Sequence, residues 1–173
     1  MTRAAALALA GLVAACAIAP APQPLPQLAG VPQAFEMSGR LALRTGDRSE
    51  IARLRWTHRP ASDLWVFASP LGNEVARIES GATGARLEQG GGAIEAGSFA
   101  ELTERAIGVA LEPSLLVSWL HGAGPAQGGD WQVTVEESNP AGSVSVARRL
   151  TARRGDVTVR LVVDEYRALE AAR

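Results

Sequence analysis

This 173-residue sequence carries few side chains suited to covalent or metal chemistry: one cysteine, Cys16, and two histidines, His58 and His121. His58 lies in a turn pattern and His121 near a helix end, and neither has a second histidine or a cysteine at metal-ligand spacing. No GxSxG elbow, HExxH helix, P-loop or dinucleotide fingerprint occurs. Glu136–Glu137 and Asp164–Glu165 are adjacent carboxylates in segments that alternate like strands. Adjacent strand residues point to opposite faces, so neither pair makes a shared acid–base site, and a solvated edge is the better reading. The expectation is a protein that is not an enzyme and holds no metal or cofactor.

The remaining chemistry belongs to Cys16. Ahead of it, Arg3 and the apolar run "AAALALAGLVAA" are too short to span a bilayer and read as an export signal over residues 1–15. Val13-Ala14-Ala15-Cys16 resembles the bacterial lipobox, where cleavage precedes a cysteine that then carries acyl chains; the alternative is a plain signal peptide with an incidental cysteine. As the only thiol, Cys16 can form no intramolecular disulfide, and lipid attachment gives it a purpose. Under the usual sorting rule an Asp at the next position retains such proteins in the inner membrane. Ala17 stands there, which points to a lipid anchor in the outer membrane of a Gram-negative bacterium, facing the periplasm.

Residues 16–34 read as that anchor point and a tether. Repeated prolines with almost no charge disfavour helix and sheet ladders, so the stretch would extend roughly 50 Å if wholly polyproline-like. Net charge is −1 and every one of the 17 basic residues is arginine, which we read as compositional bias. There is no basic run or basic–aromatic stripe, so nucleic acid is not an expected partner. Arg40 and the Arg148–Arg149 pair are either contacts for acidic surfaces or phosphates, or plain solvated strand residues.

Residues 35–173 read as one domain. "FEMSGRLALR" and "EIARLRWTH" alternate with period two; Leu41 and Leu43 share one face of the first, Leu54 and Trp56 one face of the second, opposite Arg53 and Arg55. "DLWVFAS" is apolar on both faces and is placed centrally. "EVARIES", "GARLEQ" and "GAIEAG" continue an antiparallel meander. A helical insert follows at about 98–122. Ser98 and Glu101 form a capping box for a helix ending at Gly108, and Pro113 opens a second helix ending at Gly122. "WQVTVEES", "SVSVARRLTARRG" (one or two strands) and "DVTVRLVVDEYR" complete the pattern, with a short helical or frayed tail after Tyr166. The fold class expected is mostly β with a helical insert: one antiparallel sheet that must curl, its open mouth capped by the two short helices.

Two features ask for a reason. In "SPLGNE", Pro70 and Gly72 are ordinary turn residues, but Leu71 between them would project an apolar side chain into water unless it folds back onto the sheet. In the second helix Leu115, Leu116, Trp119 and Leu120 form an apolar stripe that either packs into a solid core or lids a hollow.

With these segments in place the chain resembles the LolB family of outer-membrane lipoprotein receptors. "SGRLAL" (38–43) and "ARLRWTH" (52–58) are similar to that family's first strands, and "SPLGNEVARI" (69–78) to its protruding turn. "PSLLVSWLHG" (113–122) is similar to its lid helix and "VRLVVDEYR" (159–167) to its closing strand. The resemblance implies an incomplete antiparallel β-barrel, a half-barrel with a small helical lid around an apolar cavity, in a protein that accepts acylated lipoproteins from a LolA-type periplasmic carrier and inserts them into the outer membrane. Exposing three acyl chains to water would cost roughly 35 kcal/mol, so a carrier must shield them. On this reading the Pro70-Leu71-Gly72 turn meets the membrane. The cavity falls to Leu41, Leu43, Leu54, Trp56, Val66 and Ile78 of the sheet, and the lid to Ile107, Leu115, Leu116, Trp119 and Leu120. Acyl chains are the only ligand implied, and a monomer is expected. The chain departs from the family pattern in three places. The tether stands where the family has a further helix, the 123–130 segment is short, and Tyr166 replaces the usual Trp. The alternative is a structural or partner-binding outer-membrane lipoprotein without a lipid-carrying cavity.

Overall fold

The computed structural model describes residues 31–122, 130–142 and 144–170. Cys16, the signal segment and most of the tether lie outside these residues, as does most of the 123–130 segment. Residues 31–34 carry no helix.

Nine strands and two helices follow in order: β1 (Phe35–Thr45), β2 (Arg48–Arg59), β3 (Ser62–Ala68), β4 (Glu74–Gly81), β5 (Gly84–Gln89), β6 (Gly92–Ala96), α1 (Phe99–Ile107), α2 (Pro113–Leu120), β7 (Gln132–Ala141), β8 (Val144–Arg154) and β9 (Val157–Ala168). They form one antiparallel sheet of order β6-β5-β4-β3-β2-β1-β9-β8-β7. The chain starts at the middle of the sheet and walks by tight turns to one edge. It then crosses the concave face through the helices, re-enters at the other edge and returns to pair β9 with β1. β6 and β7 stay unpaired with each other, so the barrel is incomplete.

Period-two alternation becomes inside and outside. Phe35, Met37, Leu54, Trp56, Trp65, Ile78 and Leu87 point inward from the first meander, and Leu150, Val159, Leu161 and Val163 from the second. The helices seal this face. Ser98 caps α1, its hydroxyl accepting from the Glu101 backbone N–H at 3.1 Å, and Gly108 ends the helix with φ 73°. α1 buries Phe99 and Leu102, and α2 buries Leu116, Trp119 and Leu120.

The segment expected as one or two strands is the single strand β8. The structure departs from the expected outline after Tyr166, where the chain continues β9 to Ala168 rather than turning helical or fraying there. The register explains this: Phe35 pairs with Ala168, so β1 extends the ladder as far as β9 can follow.

Candidate functional site

Between α2 and the concave face lies an apolar cavity of about 20 Å³, lined by Leu41, Leu54, Trp56, Trp65, Leu116, Trp119, Leu150 and Leu161. That volume suffices for about one water and falls far short of an acyl chain. Trp56 and Trp65 stack along the wall with centroids 4.3 Å apart, and Trp119 meets Trp131 edge-on at 5.1 Å. The indole Nε1 of Trp65 is buried and has no hydrogen-bond partner among the described residues.

Of the residues expected at a cavity or lid, Leu41, Leu54, Trp56, Leu116 and Trp119 meet at this hollow. Ile78 and Leu120 are buried in the surrounding core, and Leu43, Ile107 and Leu115 are partly buried against it. Val66 is a correction. Trp65 and Phe67 point inward, so Val66 faces outward and lines a groove beside Arg40, Arg53 and Arg55. A strand apolar on both faces does not reveal which face is inner, and the larger Trp65 took the core.

α2 is pinned at its C-terminus. His121, fully buried, lies with Nδ1 2.8 Å from the Val117 carbonyl and Nε2 2.9 Å from the Tyr166 hydroxyl. A carbonyl can only accept, so Nδ1 carries the hydrogen and Tyr166 donates to Nε2. Burial pushes the His121 pKa below its ordinary 6.5, favouring this neutral form, and pushes Tyr166 up to about 12. Phe35 sits among these rings, 5.4 Å from both His121 and Tyr166. It also contacts His58, whose Nδ1 shares Asp63 Oδ1 with Trp56 Nε1, each at 2.7 Å. The His121–Tyr166 pair joins segments 45 residues apart, so sequence spacing gave no sign of it, whereas Trp56, His58 and Asp63 all lie on the β2–β3 hairpin and their proximity was a local signal.

The turn between β3 and β4 is closed by Ser69 N–H to Asn73 O at 2.8 Å and Gly72 N–H to Ser69 O at 2.9 Å. Gly72 adopts φ 92°, a left-handed conformation that leaves glycine the natural choice. Leu71 is 89% exposed, the most exposed large apolar side chain among the described residues. Immediately behind it, Glu74 binds Arg77 through two hydrogen bonds at 3.0 and 3.1 Å, which lower the Glu74 pKa. The exposed Leu71 therefore stands on a hydrogen-bonded turn with an ion pair at its base.

The described residues contain no group of three or more His, Cys, Asp or Glu able to hold a metal ion. The larger hollows lie elsewhere on the sheet, including one of about 850 Å³ lined by Glu36, Asp63, Glu79 and Glu95 together with Arg59 and Arg86.

Comparison with known proteins matches residues 33–166 to the family described as "LolB: Outer membrane lipoprotein LolB". A protein of Chromobacterium violaceum named "Outer-membrane lipoprotein LolB" is 34% identical over 131 residues, 75% of this chain and 72% of that protein. One of the same name from Dechloromonas aromatica is 29% identical over 177 residues, 90% and 92% of the two chains. Among solved structures, a LolA superfamily protein from Nitrosomonas europaea is similar with a TM-score of 0.45 and 6% identity, covering 81% of this chain and 88% of that one.

Proposed function

The chain belongs to the family of outer-membrane lipoproteins LolB, and from that premise we propose that it takes acylated lipoproteins from a LolA-type periplasmic carrier and delivers them into the outer membrane, itself held there through Cys16. The observation that carries the delivery step is Leu71, 89% exposed on a hydrogen-bonded turn. Leaving such a side chain in water forgoes about 1.5–3 kcal/mol of burial, an expense that contact with the acyl region of a bilayer recovers. The acceptance step is supported by the apolar surface that faces inward between α2 and the sheet. At about 20 Å³ that hollow is closed, so accepting an acyl chain requires α2 to move away from Leu41, Leu54 and Leu150. No covalent step is involved. Each holder need only bind the acyl chains more tightly than the one before.

The tight seating of α2 also favours a second reading, a partner-binding lipoprotein whose helix is plain core. A two-stage transfer assay separates the two. Leu71→Glu should accept acylated cargo from the carrier as the unchanged protein does, then fail to pass it to liposomes, because a carboxylate at the tip resists entry into hydrocarbon. Loss of the first stage would place Leu71 in the cargo site or the fold. Failure of the unchanged protein to accept any acylated cargo would favour the second reading.

A further inference from the structure

Leu71 does not stand alone at its end of the sheet. Ile51 is 67% exposed and Val75 45% exposed. Arg53 pairs with Ala68, the last residue of β3, so Ile51, two residues further along β2, lies level with the 69–73 turn. On β2, Ile51, Arg53 and Arg55 share the outer face, because Leu54 and Trp56 take the inner one. Val75 follows the turn directly, at the bulge where Ala68 pairs with Glu74 and Phe67 with Ala76. Three exposed apolar side chains thus surround one corner of the molecule.

Next to that corner the outer face is basic in a way the fold does not require. Arg40 of β1 stands directly opposite Arg53 of β2 on the same face, and Arg55 lies two residues from Arg53. Like charges placed directly across a ladder destabilise a sheet. With Ser38, Gly39, Val66, Ala68, Gly72 and others, these arginines line a groove of about 530 Å³ that reaches the turn. Its two carboxylates are already engaged: Asp164 contacts Arg40 at 3.3 Å and Glu74 binds Arg77. Among the described residues no carboxylate lies within salt-bridge distance of Arg53 or Arg55.

We propose that this outer face of β1 and β2 is a membrane-docking surface, in which Arg53 and Arg55, with Arg40, bind phosphates of phospholipid headgroups while Ile51 and Val75 enter the interface beside Leu71. The inference rests on the membrane-delivery reading above and adds its polar half. An apolar tip alone sets no orientation, whereas guanidinium groups one strand-width behind it bind phosphate in planar, bidentate fashion and fix the tilt and depth at which the tip enters. The occupant is the bilayer surface. An acidic protein lacks the hydrocarbon layer that the three apolar side chains call for.

The test uses the mature chain from residue 16 carrying Cys16→Ser, so that no acyl anchor contributes, and measures its partition onto vesicles. One set contains phosphatidylglycerol with phosphatidylethanolamine and the other phosphatidylcholine alone. Arg53→Gln/Arg55→Gln should lose about fivefold per arginine on the anionic vesicles, roughly 25-fold together. The loss should shrink as salt rises, with the thermal midpoint no lower than that of the unchanged protein, since the Arg40–Arg53 repulsion is relieved. Ile51→Gln should weaken partition onto both kinds of vesicle. As a control for net charge, Arg148→Gln/Arg149→Gln removes two arginines that pair with Glu136 and Glu137 on the β7–β8 side of the sheet. An equal loss in that control, or no loss in Arg53→Gln/Arg55→Gln, would overturn the proposal. So would a double variant that binds vesicles normally but no longer accepts cargo from the carrier, since the face would then be a carrier contact. Acceptance of cargo by the double variant, measured in parallel, separates failure of this proposal from failure of the delivery reading.

Discussion

Gly39 occupies the point where β1 and β9 fall out of step: Gly39 pairs with Val163 while Ser38 pairs with Glu165, leaving Asp164 as the extra residue. A Cβ at Gly39 would stand 2.1 Å from the Val162 carbonyl oxygen, which is backbone and cannot swing aside. Gly39→Ala should therefore force the two central strands apart and destabilise the domain by at least ~2 kcal/mol, read as a fall of several degrees in the thermal midpoint. Gly72→Ala is the useful contrast. Its Cβ would meet nothing within 4 Å, and only the φ of 92° opposes it, so its cost should be smaller. The need for glycine at position 39 was not legible in the sequence, where "SGRLAL" reads as one more inward position in an alternating strand. The requirement comes from a partner strand more than a hundred residues away. Leu71 was legible, because a leucine between Pro70 and Gly72 is anomalous against its immediate neighbours alone.

α2 is held to the sheet by its apolar stripe and by one polar latch at its C-terminus, His121 to Tyr166. Burial depresses the His121 pKa, so in the acid range the unfolded chain binds a proton there that the folded one does not. The stability this contributes is present above about pH 6.5 and is lost as pH falls through the lower folded value. A plot of thermal midpoint against pH should decline below 6.5, and His121→Gln should flatten part of that decline. Tyr166→Phe removes the donor and leaves the Nε2 acceptor buried without a partner, at a cost of about 1–3 kcal/mol. A midpoint in that variant equal to that of the unchanged protein would mean the latch contributes nothing. The two helices were legible because their caps and stops are local: Ser98 and Glu101, Gly108, and Pro113. The latch was not, since His121 and Tyr166 come together only once β9 has returned to the centre of the sheet. Nor could periodicity decide whether the Leu115–Leu120 stripe covers a hollow or fills one, because both demand the same residues at the same spacing.

The whole molecule has two distinct ends. The described chain enters β1 at Phe35, level with His58 and the β2–β3 turn. The Leu71 turn and its arginine groove lie at the opposite end of β3, seven residues away, or roughly 23 Å along the strand. The broad groove near the entry end sets Glu36, Asp63, Glu79 and Glu95 against Arg59 and Arg86, an acidic excess, whereas the groove by the turn sets Arg40, Arg53 and Arg55 against Glu74 and Asp164, a basic excess. The molecule therefore carries its basic groove at the end with the apolar tip. If Cys16 holds the lipid, anchor and tip reach the same bilayer only when the intervening chain runs back along the domain. The 18 residues between Cys16 and Phe35 reach at most about 60 Å when fully extended, ample for that span. Deleting residues 18–30 leaves five, a reach of at most about 20 Å, shorter than the domain face they must cross. That variant should keep its fold, its anchor and its acceptance of cargo from the carrier. It should lose delivery into the membrane that holds it, yet deliver normally into added liposomes that its tip can approach freely. Replacing the deleted residues with a Gly/Ser stretch of equal length should restore delivery, since length and not proline content sets the reach. Unimpaired delivery into its own membrane by the shortened chain would mean that the anchor and the Leu71 end need not engage one bilayer together.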